Sequence, residues 1–218
     1  MVTIMTKELT GLIIRVIDYK ESSLIVHLLT KEKVESVIAK GVKKINSKLK
    51  GYILSYNYVT MYVTDSKIPV LTDILVINQL ENIQNNIRKN MYAGQIINML
   101  YKEHYDNNRV YELALKTINY INDNDEEYYY NLFLLKNLHF IGLGLSNDLD
   151  KKNVIGFNIL EGVIVSKEDN LSTDINKDDT IKIYELYYSK LEDKIEININ
   201  MLHNFLVKYY ELHASIKL

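Results

Sequence analysis

The sequence has 218 residues, of which 47% are hydrophobic and 25% are charged, the composition of a folded protein with one large domain or two small ones. It has no cysteine, which excludes disulfides, thiolate zinc sites, iron–sulfur clusters and a cysteine nucleophile. The formal net charge is −2, but residues 1–80 carry 11 Lys and Arg against 7 Asp and Glu, and the remainder is net acidic. The two parts of the chain are therefore expected to differ in their electrostatic roles.

Residues 10–78 have the pattern of short β-strands separated by polar turns. The predicted strands are residues 12–17, 24–29, 34–39, 53–63 and 70–77. Pro69 stands at the start of the fifth run, where a missing N–H group is tolerated. Five antiparallel strands are too few for two sheets but sufficient for a small closed barrel. We therefore predict a five-stranded OB-fold barrel over residues 1–80.

From Gln79 onward the apolar residues recur with the period of helices, which predicts a helical domain over residues 81–218 and an α+β fold. Caps are predicted at Asp106 or Asn107 for a helix through Ile121, and at Asn124 or Asp125 for a central helix through about Gly142. A small hairpin is predicted at residues 151–165, and closing helices at about 179–191 and 199–213. One apolar stripe is predicted at the start of this domain: Ile83, Ile87, Met91, Ile96, Ile97 and Leu100.

The sequence gives little sign of catalysis. The five histidines are scattered without the spacing of metal ligands, and no phosphate-binding glycine loop or nucleophile elbow is present. The acidic residues near 123–127 are explained by the N-terminus of a helix, where the dipole favours them. We therefore predict a protein that is not an enzyme and has no metal or cofactor. With no apolar run near 18 residues and no leader pattern, the expected location is the cytoplasm, without a membrane partner.

Residues 40–50 carry five lysines and no acidic residue, and they connect the third and fourth predicted strands. Ammonium groups at this density repel one another, whereas a polyanion that binds them gains free energy from counterion release. Gly41 permits a sharp turn, and a serine hydroxyl can donate to phosphate oxygens. This segment predicts nucleic-acid binding, against the alternative of a solvated loop. The predicted contacts are Lys40, Lys43, Lys44, Ser47, Lys48 and Lys50, with Arg15, Lys20 and Lys33 as additions if they face the same side.

At these residues the chain resembles the RecO family of bacterial recombination mediators. The resemblance includes the strand of residues 11–15, the Tyr-Lys-Glu-Ser turn of residues 19–22, and Thr30. It continues through the basic segment, in which Lys40, Gly41, Lys43, Lys44, Ser47 and Lys48 match in order. Residues 131–142 are similar to the central helix of the family, and residues 205–213 to its closing helix. Many members carry a four-cysteine zinc site, whereas residues 153–165 have no cysteine, so the hairpin is expected to persist without metal.

The resemblance implies a function in DNA repair. Family members bind single- and double-stranded DNA and anneal complementary strands, and with RecR they help to load RecA onto DNA coated by single-strand binding protein (SSB). They act at the nucleoid and bind the C-terminal tail of SSB on the helical domain. Because that tail is acidic and ends in an apolar residue, Lys136 between Leu135 and Leu138 is the candidate site, against the alternative that this lysine only extends to solvent.

Two other functions remain open at the level of the sequence. The chain could be a generic OB-fold module that binds single strands or RNA and has no mediator activity. A nucleic-acid enzyme is a third reading, although the sequence shows no acid–base or metal constellation for it.

Overall fold

The computed structural model describes residues 6–102 and 108–218 and divides into two compact units, one ending at Asp123 and one beginning at Asn124. The strands are β1 Thr6–Tyr19, β2 Ser23–Thr30, β3 Val34–Ala39, β4 Asn57–Thr64, β5 Leu71–Gln79, β6 Val154–Asn158, β7 Val163–Ser166 and β8 Ile175–Asn176. The helices are α1 Glu81–Asn85, α2 Ile87–Lys102, α3 Asn108–Asp123, α4 Glu126–Phe140, α5 Lys177–Tyr188 and α6 Ile199–Ala214. The predicted caps at Asp106 or Asn107 lie outside the described residues.

The first five strands form one antiparallel sheet in the order β3-β2-β1-β4-β5. The sheet closes where β3 meets the start of β5, because Ile38 pairs in parallel with Val70 and its N–H donates to the carbonyl of Pro69 at 2.9 Å. Closure leaves the inward-facing side chains in a dry core that includes Ile13, Leu28 and Met61, all fully buried. The predicted five-stranded OB-type barrel and the α+β class are therefore confirmed.

The largest differences from the predicted strand boundaries are in β1 and at the start of β4. Strand β1 begins at Thr6 and extends beyond the predicted run at both ends. The fourth run does not begin at Ile53, because a short 3-10 helix at Lys50–Tyr52 precedes it and Tyr56 has a φ of 68°. Ile53 is nevertheless buried in the barrel core, so its apolar character serves the loop before β4 and not the strand itself.

Helices α1–α3 belong with the barrel, whereas the prediction grouped them with the later helices. Hydrogen bonds join the two parts: the Tyr111 hydroxyl donates to the carbonyl of Leu29 at 3.3 Å, and the Gln84 amide donates to the carbonyl of Ser55 at 2.8 Å. The change from strands to helices does lie near Gln79, but the compact unit continues to Asp123. A separately folding domain over residues 1–80 stays a prediction.

The predicted apolar stripe is wrong at Ile87, which is 87% exposed, and at Met91, which is 49% exposed. Asn86 has an extended backbone between α1 and α2, and its side-chain oxygen accepts from the N–H of Arg88 at 2.9 Å. With this cap a new helix, α2, begins, and its buried side is rotated relative to the one predicted for a single continuous helix. Ile96 therefore lies in the core while Ile87 does not.

The second unit is built around α4, whose residues Leu132–Leu135 are fully buried. Its predicted cap is confirmed at Asp125, whose carboxylate accepts from the N–H of Tyr128 at 2.8 Å. The helix ends at the predicted glycine, since Gly142 has a φ of 79° and the N–H of Leu143 bonds back to Leu138 at 2.9 Å.

The predicted hairpin forms from β6 and β7, and β8 pairs with the other edge of β6. Phe157 is buried, with its ring 5.6 Å from that of Phe205 and 6.1 Å from that of Tyr209. Asp174 accepts from the N–H of Ile159 at 2.8 Å and so holds the end of the hairpin. Aromatic packing and side-chain hydrogen bonds account for the position of this hairpin against the helices.

The packing of Phe157 gives a test of this arrangement. We expect Phe157→Ala to lower the free energy of unfolding by about 3–5 kcal/mol, because a large fully buried ring is lost. Leu160→Ala is the matched control in the same hairpin, since Leu160 is 65% exposed and should change stability by less than about 0.5 kcal/mol. Urea unfolding of the full chain measures both. Equal effects of the two substitutions would contradict the packing role of the aromatic cluster.

Candidate nucleic-acid interface

The loop of residues 40–50 is anchored to the barrel at several points. Val42 is 1% exposed and lies in the barrel core, and Leu49 packs against the same core. Gly41 has a φ of 68°, a left-handed conformation that glycine adopts without strain, and the next residues therefore turn back over the barrel. The N–H of Lys43 donates to the carbonyl of Ser22 at 2.9 Å, which ties the loop to the β1–β2 turn.

The anchored loop presents its lysines outward. Lys40, Lys44, Lys48 and Lys50 are all exposed. Lys43 differs, because its ammonium lies 3.1 Å from the carboxylate of Asp18 and only about a third of its side chain is exposed. Four of the five predicted lysine contacts are therefore open to a ligand, and the fifth is partly neutralised by an acid of β1.

Ser47 and Lys20 extend this surface. The N–H of Ser47 donates to the carbonyl of Lys44 at 3.0 Å, so the serine lies in a turn within the basic loop. Lys20 is exposed in the β1–β2 turn with a φ of 54°, two residues from Ser22, to which the loop is bonded. Its ammonium lies 5.3 Å from the centre of the Tyr19 ring. The structure thus brings Lys20 together with the basic loop, as the prediction required.

Lys33 and Arg15 are not part of the same cluster. Lys33 lies in the β2–β3 turn, separated from the basic loop by the length of β2, which is about 23 Å. It pairs there with Glu35 at 3.3 Å. Arg15 is exposed in the middle of β1, opposite His27 of β2 in the strand register. Of the three predicted additional contacts, Lys20 lies beside the basic loop and Lys33 lies at the opposite end of β2. Arg15 lies between these two ends, in the middle of β1.

Beside the predicted Arg15, the outer face of β1, β2 and β3 carries residues that the sequence analysis missed. One row across the strands consists of Ile17, Ile25 and Ile38, all half-buried. The next row is Arg15, His27 and Ser36, in which the serine hydroxyl and the His27 Nδ1 lie 3.0 Å apart. The sequence of β2 does indicate these outward-facing residues. Side chains alternate along a strand, and because Val26 and Leu28 face the core, Ile25 and His27 must face outward.

The three residues of the predicted SSB-tail site make contacts within the second unit of the structure. The Lys136 ammonium donates to the carbonyls of Leu186 and Tyr187, both at 3.2 Å, and of Ser189 at 2.5 Å. It therefore caps the C-terminal end of α5, where a cation is favoured by the exposed carbonyls. Burial lowers the pKa of Lys136, although the nearby carboxylates of Asp193 and Glu192 oppose that shift.

The flanking leucines of the predicted tail site, Leu135 and Leu138, are fully buried. They offer no apolar surface to a peptide. The alternative, in which Lys136 only extends to solvent, does not describe its three hydrogen bonds either.

Within residues 6–102 and 108–218, no three His, Asp or Glu side chains lie close enough together to hold a metal ion. In the same part of the chain, none of the helices has the length and hydrophobicity to cross a bilayer.

Comparison with known proteins shows what this chain is similar to. The family model for the N-terminal domain of recombination protein O matches residues 5–80, which include the whole barrel. The chain is also 26% identical to the DNA repair protein RecO of Halalkalibacterium halodurans over 147 residues, covering 65% of this chain and 57% of the relative. Over the barrel and the helices that follow it, the chain is therefore similar to proteins of the RecO family. The RecO protein of Listeria monocytogenes serotype 4b is 30% identical over 141 residues, covering 61% of this chain and 54% of that protein.

The RecO relatives confirm the resemblance read from the sequence. A more distant one, from Roseiflexus sp., is 24% identical over 116 residues, which is 51% of this chain and 41% of that protein. The matches span a little over half the length of the RecO proteins from Halalkalibacterium and Listeria. The relatives are named as DNA repair proteins.

Proposed function

We propose that this protein is a DNA repair protein that binds single- and double-stranded DNA through the barrel loop and catalyses no reaction. It anneals complementary strands and, with RecR, helps to load RecA onto DNA coated by SSB, acting at the nucleoid in the cytoplasm. The observation that carries the proposal is the anchored loop with four exposed lysines on a barrel that matches the family domain. The DNA repair relatives support the same role.

The physical basis of binding is electrostatic and independent of base sequence. The lysines of the loop meet phosphates as point charges, and each neutralised phosphate releases a counterion to the solvent. The chain has 23 lysines and 3 arginines, and a lysine lacks the planar two-pronged geometry that reads guanine edges. Annealing requires contact with any pair of complementary strands, and a basic loop that recognises only the backbone suits that requirement.

A generic OB-fold module that binds single strands or RNA, without mediator activity, is the second candidate. The match of the family model to residues 5–80 alone favours it, because those residues include the barrel and not the later helices.

The salt dependence of DNA binding tests the loop. Four full lysine–phosphate contacts and a partial one at Lys43 give a slope of log K against log[salt] between roughly −2.8 and −3.5 on single strands, and Lys44→Ala/Lys48→Ala should flatten it by about 1.4. Lys43→Ala should flatten the slope by less than the value of about 0.7 expected for one full contact, because Asp18 already neutralises part of the charge of Lys43. The measurement is fluorescence anisotropy of one labelled oligonucleotide at several salt concentrations.

Lys182→Ala/Lys190→Ala is the matched control for the salt experiment. Both lysines are exposed and belong to the unit that begins at Asn124, so this variant has the same change of charge as the loop variant. We expect it to retain the wild-type slope. Equal slopes for wild type and Lys44→Ala/Lys48→Ala would show that the loop is only a solvated surface.

Annealing of complementary oligonucleotides coated with cognate SSB separates the two candidate functions. The mediator function predicts that the wild-type chain accelerates annealing of coated strands and that Lys44→Ala/Lys48→Ala is slower. Acceleration on naked strands together with no effect on coated strands would contradict the mediator function and favour the generic module. The same assay with RecR added, followed by RecA filament formation, tests the loading step.

A further inference from the structure

A cleft of about 160 Å³ lies on the outer face of the barrel, between strands β1 and β2 and the last turns of α2. Both of its walls belong to the unit that ends at Asp123. The cleft is smaller than the pockets of roughly 300–1,000 Å³ that hold drug-sized ligands, which limits its occupant to a small group such as a single ring. The lining residues are Ile14, Arg15, His27, Ile97, Asn98 and Tyr101.

The apolar part of the lining suits a flat ring. Ile97 is buried and Ile14 is half-buried, so the two side chains form a dry wall. Tyr101 lies in the last turn of α2 with 59% of its surface exposed. An exposed aromatic ring beside an apolar wall is the arrangement on which bases stack in proteins that bind single strands.

The polar part of the lining suits the edge of a base and its phosphate. The Nδ1 of His27 is engaged with the Ser36 hydroxyl at 3.0 Å, which leaves Nε2 for another partner. Asn98 is exposed and carries both a donor and an acceptor. Arg15 lies opposite His27 in the strand register, about 5 Å away between Cα atoms, and supplies a permanent cation.

We propose that this cleft holds one unstacked base of bound single-stranded DNA, stacked on Tyr101, with the Arg15 guanidinium on a neighbouring phosphate. The inference rests on the proposed DNA-binding function and adds to the basic loop a second contact point that recognises a base. His27 and Asn98 donate to or accept from the edge of that base. Because every base has an aromatic face and a polar edge, such a site tolerates any sequence.

The cleft and the basic loop lie along one strand of the barrel. Arg15 is four residues from Tyr19 on β1, a distance of about 13 Å. The half-buried Ile17, Ile25 and Ile38 row occupies the surface between them. A single strand that starts on the lysines can therefore follow β1 to the cleft over a few nucleotides. A duplex keeps its bases stacked inside, so it meets the lysines without filling the cleft.

The test compares two oligonucleotides of equal length, one of thymidines and one of abasic residues, which have the same phosphates. We expect the full wild-type chain to bind the thymidine strand more tightly, and Tyr101→Ala to reduce this ratio of affinities by roughly five-fold or more. Tyr101→Phe keeps the aromatic face and should keep the ratio. Lys44→Ala/Lys48→Ala should weaken both strands by the same factor, which leaves the ratio unchanged. The melting temperature of each variant serves as the control for folding.

The outcomes distinguish the cleft from the function on which it rests. If Tyr101→Ala leaves the ratio unchanged while DNA binding and its dependence on the lysines persist, the cleft is not a base site and the proposed function stands. If the wild-type chain binds neither strand, the proposed function fails and the cleft fails with it. If Tyr101→Ala and Tyr101→Phe both lose the preference for the thymidine strand, stacking is also contradicted, because phenylalanine retains the aromatic ring.

Discussion

Val42 is almost completely buried in the barrel core, although it lies in the middle of a segment that carries five lysines. Burial of such a side chain stabilises the fold by about 1.5–3 kcal/mol. Two ammonium groups in water repel each other by about 1 kcal/mol at 4 Å, and by less at larger separations and in salt. The apolar anchor therefore outweighs the repulsion of any one pair. The lysines stay concentrated on one surface because the backbone beneath them is fixed by Val42, Leu49 and the bond to Ser22.

The same reasoning applies to the second unit, where packing fixes a hairpin that contains no cysteine. Phe157 inserts between side chains of α5 and α6, and the ring of Tyr184 lies 6.4 Å from it. His213 adds a hydrogen bond to the carbonyl of Ile159 at 2.7 Å. Lys136 performs a related task at the end of α5, since one ammonium group satisfies three carbonyls there. These charged and aromatic side chains of the second unit thus stabilise its fold.

Local signals in the sequence were sufficient for much of the fold. The bounds of β3, the cap at Asp125 and the glycine that ends α4 were all predicted, because each depends on a few neighbouring residues. The exposure of Ile87 was missed, since one extended residue at Asn86 changes the phase of the following helix.

The candidate site could be predicted only in part. The lysine loop is contiguous in sequence and was therefore visible, whereas the role of Lys136 depends on carbonyls about fifty residues away. The Arg15–His27 row depends on strand register and on a β-bulge between Ile13 and Arg15, which composition does not reveal. Such residues become recognisable only when the strands are paired.

Hydrogen exchange of the full chain, with and without a single-stranded oligonucleotide at low salt, tests the central claim most directly. The claim is that an anchored basic loop on the barrel is the DNA surface. We expect the amides of residues 41–50 and of the turn at residues 20–22 to exchange more slowly when DNA is bound. Protection confined to residues 124–218, with the loop unchanged, would contradict the account.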